Sequence, residues 1–153
     1  MANEKYAATG LDAAIAVSPG TTALGVTGGT GVRPSIYFVD ASFDGTPSDI
    51  MIRFQAMRST AAGTSTAVTP AQLDGSGIAA EATAGENHSA EPTYTAATEL
   101  IDVDRHFRAP FQFVAVDPTA GFQVPATAAN GVGFRGFHAS ATPGLNVTAH
   151  WAE

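Results

Sequence analysis

The chain has 153 residues, a length that suits one domain, and it contains no cysteine. The absence of cysteine excludes a disulfide framework, thiolate metal sites and thiol catalysis. Seven basic residues stand against fourteen acidic ones, and a net charge of −7 without an arginine-rich stripe argues against binding to nucleic acid. No apolar run approaches the roughly 18 residues needed to cross a membrane, so we expect no membrane partner.

Residues 1 to 31 carry few large side chains, and the Pro19-Gly20 pair interrupts them. Such a segment offers little apolar surface to offset the entropy that is lost when it becomes ordered. We therefore expect residues 1 to 31 to form an N-terminal arm or peripheral strands, held by a neighbouring subunit and not by the core of the domain.

The glycine-rich segment LGVTGGTGV, residues 24 to 32, superficially resembles a dinucleotide-binding loop. Such a loop needs a helix whose N-terminus meets the pyrophosphate. Here Arg33-Pro34 and a strand-like segment follow at the point where that helix would have to begin. We expect a flexible turn at this place and no bound nucleotide.

From residue 35 onward, strand-like segments alternate with turns that are rich in glycine and proline. In DIMIRFQAMR, residues 49 to 58, every second residue is apolar, as in a half-buried strand. In LNVTAHWAE the same alternation directs Leu145, Val147, Ala149 and Trp151 inward. Residues 32 to 153 are therefore predicted to form one all-β domain, an antiparallel β-sandwich or barrel that is jelly-roll or Greek-key-like, with no helix beyond a turn or two.

The segment GENHSAEPTY, residues 85 to 94, places Glu86, His88 and Glu91 within six positions. A metal site needs three or four ligands, and the other histidines fall in separate predicted strands. Most of the remaining residues of the segment favour turns. We interpret it as a polar loop and expect no metal.

No arrangement of residues points to catalysis. The G-x-S-x-G motif of a nucleophile elbow is absent, and Asp102 and Asp104 alternate along a predicted strand, which is typical of a solvated face. We therefore name no catalytic, cofactor-binding or metal-binding residue and expect that the protein is not an enzyme.

Three arginines are our candidates for interface anchors: Arg53 and Arg58, which flank Gln55 on the predicted outer face of a strand, and Arg135. The planar guanidinium group forms several hydrogen bonds at once, which suits it to protein interfaces. The alternative is that these charges serve only solubility.

Three stretches, taken together, resemble a family of small phage-encoded virion proteins, those of the head decoration or cement type. They are RFQAMRSTAAGTSTAVTPAQLDG (53 to 75), AGENHSAEPTY (84 to 94) and PATAANGVGFRGFHA (125 to 139). The resemblance covers roughly residues 50 to 153 and carries no catalytic motif with it.

This resemblance implies a capsid decoration protein on the outer surface of the phage head, where it stabilises the shell. The implied partners are the major capsid protein and further copies of this chain, with a trimer as the expected homo-oligomer. Two alternatives remain open: a tail or baseplate structural component, and a carbohydrate-binding β-sandwich module. For the last of these, Trp151 and Tyr94 are the only candidate aromatic platforms.

Overall fold

The computed structural model describes residues 4–16, 20–46 and 48–153. These residues form strands joined by turns, with one turn of 3-10 helix at Pro118–Ala120 and no α-helix among them. The all-β prediction is therefore confirmed. The strands are β1 (Lys5–Asp12), β2 (Thr21–Thr27), β3 (Ser35–Asp44), β4 (Met51–Ala61), β5 (Thr64–Val68), β6 (Ala71–Gln72), β7 (Thr83–Ala90), β8 (Thr93–His106), β9 (Phe111–Val114), β10 (Phe122–Gln123), β11 (Gly131–Phe137) and β12 (Gly144–Ala152).

The strands build two sheets that pack against each other as an antiparallel β-sandwich, as the sequence predicts. Sheet A has the order β10-β3-β12-β1-β6, and β9 pairs with the remaining length of β3. Sheet B has the order β5-β7-β2-β11-β4-β8. Every strand pair in both sheets is antiparallel.

The core lies between the two sheets and is built from alternate residues of each strand. The four residues of β12 that the sequence directs inward are all fully buried, and so are alternate residues of β4 from Ile52 to Ala56. The ring of Trp151 packs near that of Tyr6, with 6.1 Å between the ring centroids. These contacts confirm the inward faces that were predicted for both segments.

The expectation of an N-terminal arm or peripheral strands held by a neighbouring subunit is wrong for residues 4–16 and 20–31, and residues 1–3 and 17–19 lie outside the described part of the chain. Strand β2 lies inside sheet B between β7 and β11, and β1 pairs along its whole length with β12. Tyr6, Leu24 and Val26 are fully buried in the common core. The small residues are the reason: a Cβ atom at Gly10 would lie 2.4 Å from the carbonyl oxygen of Ala23, so glycine lets β1 approach the opposite sheet closely.

The glycines that follow β2 also serve close packing. A Cβ atom at Gly28 would lie 2.1 Å from the carbonyl oxygen of Pro125, and one at Gly29 would lie 2.7 Å from that of Glu81. Strand β3 begins a few residues later, at Ser35, without an intervening helix. The segment is a connection between strands and lacks the helix N-terminus that a dinucleotide would need.

Candidate functional site

The three stretches behind the family resemblance come together in space. Residues 53 to 75 supply most of β4, β5 and the two-residue strand β6, residues 84 to 94 supply most of β7 and the start of β8, and residues 125 to 139 supply β11. Strand β6 belongs to sheet A, and the other five strands belong to sheet B. Because the inward positions of this sheet form the core, its outer face is the surface that these stretches build in common.

A row of glycines crosses the middle of that outer face. Gly85, Gly25 and Gly133 lie directly opposite one another on β7, β2 and β11. A Cβ atom at Gly133 would lie 2.1 Å from the hydroxyl oxygen of Tyr94, and one at Gly25 would lie 3.2 Å from Nε2 of His88. The glycines therefore leave room for two ring side chains, those of Tyr94 and His88, to approach the backbone of the sheet closely, and we call this row the glycine trough.

A chain of hydrogen bonds holds the hydroxyl group of Tyr94 in this trough. Oγ1 of Thr22 lies 2.5 Å from the Tyr94 hydroxyl and 2.5 Å from Oε2 of Glu91. Since a carboxylate only accepts, the Thr22 hydroxyl donates to Glu91 and the Tyr94 hydroxyl donates to Thr22. The backbone N–H of Thr22 donates to the other Glu91 oxygen at 3.2 Å. Burial, above all, raises the pKa of Tyr94, so its hydroxyl stays protonated at neutral pH.

Arg135 covers the Tyr94 ring. Its guanidinium carbon lies 4.8 Å from the ring centroid, within the range of a cation–π contact. Its Nε and Nη2 atoms both donate to Oε1 of Gln55, at 3.0 and 2.9 Å. Gln55 on β4 and the Tyr94 ring on β8 together fix the position of the Arg135 guanidinium group.

Arg53 and Asp102 form a two-point ion pair beside this cluster. Nε of Arg53 donates to Oδ1 of Asp102 at 2.6 Å, and Nη2 donates to Oδ2. The Arg53 hydrogen bond is the main reason that the pKa of Asp102 lies below its ordinary value. The side chain of Arg53 remains 46% exposed, and it also lies 5.5 Å from the centroid of the Phe137 ring. We call Arg53, Gln55, Tyr94, Asp102 and Arg135 the outer-face cluster.

The structure brings two of the three candidate arginines together and separates the third. Arg53 and Arg135 lie on neighbouring strands of the outer face. Arg58 does not share that face, because it has the inward parity of Ala56, and its Nη1 donates to the carbonyl oxygen of Gln123 at 2.7 Å. The prediction that Arg58 flanks Gln55 on the outer face is therefore wrong.

The loop interpretation of residues 85 to 94 is also wrong, because most of this segment is strand β7. Asn87 has a positive φ of 47°, which interrupts the alternation, so that Glu86 and His88 serve different faces. Oε2 of Glu86 accepts a hydrogen bond from the N–H of Leu11 at 2.9 Å, and Nδ1 of His88 lies 3.0 Å from the carbonyl oxygen of Thr22. Glu86 and His88 therefore each bind the backbone of another strand, β1 and β2 respectively.

Among residues 4–16, 20–46 and 48–153, no three His, Asp or Glu side chains come together in a way that could hold a metal ion. In the same residues, no helix is long and apolar enough to cross a membrane.

The two aromatic residues considered as sugar platforms are both covered. Trp151 is fully buried, and its Nε1–H donates to Glu153 at 2.9 Å. Tyr94 lies between the backbone of Gly133 and the guanidinium group of Arg135. Neither ring presents a free face on which a sugar could stack.

Sequence reasoning missed Thr22, Glu91 and Tyr94 as members of one network. The available signal was the presence of glycine in the middle of strands, at Gly25 and Gly133, because such a glycine often marks a place where another group approaches the backbone. Comparison with protein-family models, with curated proteins and with solved structures finds no match to this chain.

Proposed function

We propose that this protein is a phage virion protein of the head decoration type, which binds the outer surface of the capsid and stabilises the shell. The observation that supports the proposal is the convergence of the three family-like stretches on sheet B. Segments that lie far apart in sequence build most of one face, which is what a single docking surface would require of them.

The outer-face cluster is the proposed docking surface. Arg53 is the most accessible cation of the cluster, and its ion pair with Asp102 holds the guanidinium group in a fixed orientation. Arg135 is fixed in the same way by Gln55. Side chains that are ordered before binding lose less entropy when a partner docks, so this surface suits a specific protein partner. The partner that we propose is the major capsid protein.

The net charge of the chain favours the outer surface of the capsid over the inner one. Packaged DNA makes the inner surface of a capsid unfavourable for a chain with a net charge of −7, and the outer surface avoids this repulsion. A protein that binds only the assembled shell raises the stability of that shell by the binding free energy of each copy.

The proposal is tested by stripping the protein from particles and heating the particles. Decorated particles should release their DNA at a higher temperature than stripped particles, and adding back the purified protein should restore that temperature. Equal rupture temperatures would contradict the stabilising role. Recovery of the protein only with tails or baseplates would favour a tail component instead.

The docking surface is tested by matched substitutions. Arg53→Gln removes one exposed cation of the cluster, and Arg108→Gln removes one exposed cation elsewhere, since the Arg108 side chain is 60% exposed. We expect Arg53→Gln to lower the number of copies bound per particle and Arg108→Gln to leave it unchanged. Thermal unfolding of both free variants controls for loss of the fold.

A further inference from the structure

A small cleft lies on the outer face of sheet B, in the part of the glycine trough that is nearest the edge strand β5. Its volume is about 170 Å³. Gly85 and Gly25, which lie opposite each other on β7 and β2, form its floor, and Ala67 on β5 is the next residue in the same row. Because the two glycines have no side chains, they leave space above the sheet for a group from outside the chain.

Two unpaired polar groups lie over this floor. Nε2 of His88 lies 3.2 Å from the position that a Cβ atom would take at Gly25, and Oγ of Ser65 lies 2.1 Å from the corresponding position at Gly85. Within the part of the chain that the structure describes, neither atom forms a hydrogen bond. No buried side-chain nitrogen or oxygen atom of those residues lacks a partner, so Nε2 of His88 is accessible from the solvent.

The surroundings of these two groups determine their hydrogen-bonding roles. Nδ1 of His88 lies 3.0 Å from the carbonyl oxygen of Thr22, which can only accept, so Nδ1 carries the proton. In the neutral ring, Nε2 is then an acceptor, whereas the hydroxyl group of Ser65 can donate or accept. Neighbouring strands are about 4.8 Å apart, so one small group can donate to His88 and accept from Ser65 at the same time.

The lining of the cleft excludes a charged ligand. Among the described residues, no Asp, Glu, Lys or Arg lines the cleft, so an ion would lose its water there without gaining a partner of opposite charge. A carboxylate would also face the lone pair of Nε2 of His88 and the net charge of −7. An apolar group would leave Nε2 without a hydrogen bond. An uncharged end group that both donates and accepts, a carboxamide or a hydroxyl, satisfies the lining.

The size of the cleft limits the ligand to the end of one side chain. Sites that hold cofactors and other small molecules usually measure about 300–1,000 Å³. A water molecule occupies about 30 Å³ in the liquid, so the cleft has room for the equivalent of about five or six waters. The carboxamide end of an asparagine or glutamine side chain fits this space, and so does the end of a side chain that carries a hydroxyl group.

We propose that this cleft is a pocket for one uncharged side chain of the protein partner, whose carboxamide or hydroxyl end donates to Nε2 of His88 and accepts from the hydroxyl group of Ser65. The inference rests on the proposed docking of sheet B on the capsid, because the cleft and the outer-face cluster lie on the same face. Gly133, beneath the Tyr94 ring, belongs to the same glycine trough as the floor of the cleft. The pocket therefore extends the docking surface from β8 to the opposite edge of sheet B.

The first experiment titrates small probes into the free protein, so it does not depend on the capsid. Propionamide and 1-propanol carry the two uncharged end groups, and propionate and propylammonium are ions of similar size. At constant pH, we expect the two uncharged probes to shift the ¹⁵N resonance of Nε2 of His88 in a saturable way, and we expect the ions to leave it unchanged at equal concentrations. No saturable shift with either uncharged probe, or an equal shift with the ions, overturns the proposal.

Substitutions locate the binding of the probes. Ala67→Leu narrows the cleft and should abolish the shift, whereas Thr66→Leu should preserve it, because both residues are exposed on β5 but Thr66 does not line the cleft. Ser65→Ala removes the proposed donor and should weaken the binding of propionamide about two- to tenfold. Amide spectra of the three free variants show whether each keeps the fold. Equal effects of Ala67→Leu and Thr66→Leu contradict the assignment to this cleft.

The second experiment counts the copies bound per capsid particle. Ala67→Leu should lower this number relative to Thr66→Leu. Equal numbers for the two variants would show that the cleft takes no part in docking, and the proposed function would stand without it. A wild type that binds no particles would contradict the proposed function itself, and the titration with the probes then decides separately whether the cleft is a binding site.

Discussion

The hydroxyl group of Tyr94 is the residue-scale feature that organises the candidate docking surface. It donates to Thr22 inside a buried chain of hydrogen bonds. Tyr94→Phe leaves the Thr22 oxygen without this donor, so the free energy of unfolding should fall by about 0.5–1.5 kcal/mol. Urea denaturation measures this change. The control is Tyr37→Phe, because within the described residues the Tyr37 hydroxyl makes no hydrogen bond, and an equal loss in both variants would contradict the role given to Tyr94.

Asp102 links the stability of the same surface to pH. Its pKa is lower in the folded chain than in the unfolded one, chiefly because Arg53 donates hydrogen bonds to it. The stabilisation is therefore complete above the ordinary carboxylate pKa of about 3.9 and is lost as the pH falls through the lower value of the folded state.

Asp102→Asn should accordingly lower the denaturation midpoint at pH 7, and the difference from the wild type should shrink below about pH 4. Denaturation curves of both proteins across this pH range measure the effect. Asp104→Asn, on the same strand, is the control and should show a smaller difference at pH 7. A difference between Asp102→Asn and the wild type that does not change with pH would contradict the assignment.

At the scale of the strand, the glycine row determines how close a side chain can lie to sheet B. Gly133→Ala places a Cβ atom against the Tyr94 ring, and moving the ring breaks its hydrogen bond to Thr22. We expect destabilisation by about 1–3 kcal/mol. In a chain that already carries Tyr94→Ala, the same substitution should have little effect, and this double-mutant cycle separates the contact from an intrinsic effect of the strand.

Strand β1 has an exposed edge over part of its length, because β6 pairs with only Tyr6 and Ala7. Glu86 covers this edge at the N–H of Leu11. Glu86→Ala should speed amide exchange of Leu11 several-fold while the global free energy of unfolding falls by no more than about 1 kcal/mol. Hydrogen exchange read by NMR measures both, with Glu99→Ala as the control. Unchanged exchange at Leu11 would show that Glu86 does not protect the edge.

The strands that could be predicted from the sequence are those with large alternating side chains. In β4 and β12, Phe54 and Trp151 mark the buried face without ambiguity. In β1 and β7, the inward positions hold small or polar residues such as Ala8 and Glu86. Hydrophobic alternation is therefore weak there, and the sequence pattern predicts an arm or peripheral strands for the first segment and a loop for the second. The outer-face cluster could not be predicted for another reason. Its members come together only through the register of neighbouring strands, and local sequence patterns do not determine that register.

At the scale of the whole molecule, the buried residues of β1 and β2 determine the effect that we expect from an N-terminal truncation. Deleting residues 2 to 30 removes Tyr6, Leu24 and Val26 from the core and takes an internal strand out of sheet B. We expect the remaining chain to lose cooperative unfolding and the dispersed NMR spectrum of a folded domain. A shortened chain that keeps cooperative unfolding and a dispersed spectrum would show that residues 1 to 31 act as an arm after all.

The place of β12 in the middle of sheet A has a consequence for the order in which the protein is made. Lys5 pairs with Ala152, and β12 also separates β1 from β3, so sheet A lacks its central strand until β12 has been synthesised. Contacts between such distant parts of a chain slow folding, since a long loop must close before they form. During translation β1 therefore has no long pairing partner until β2 to β11 have emerged from the ribosome, and the fluorescence of Trp151 on β12 reports when that partner takes its place in the sheet.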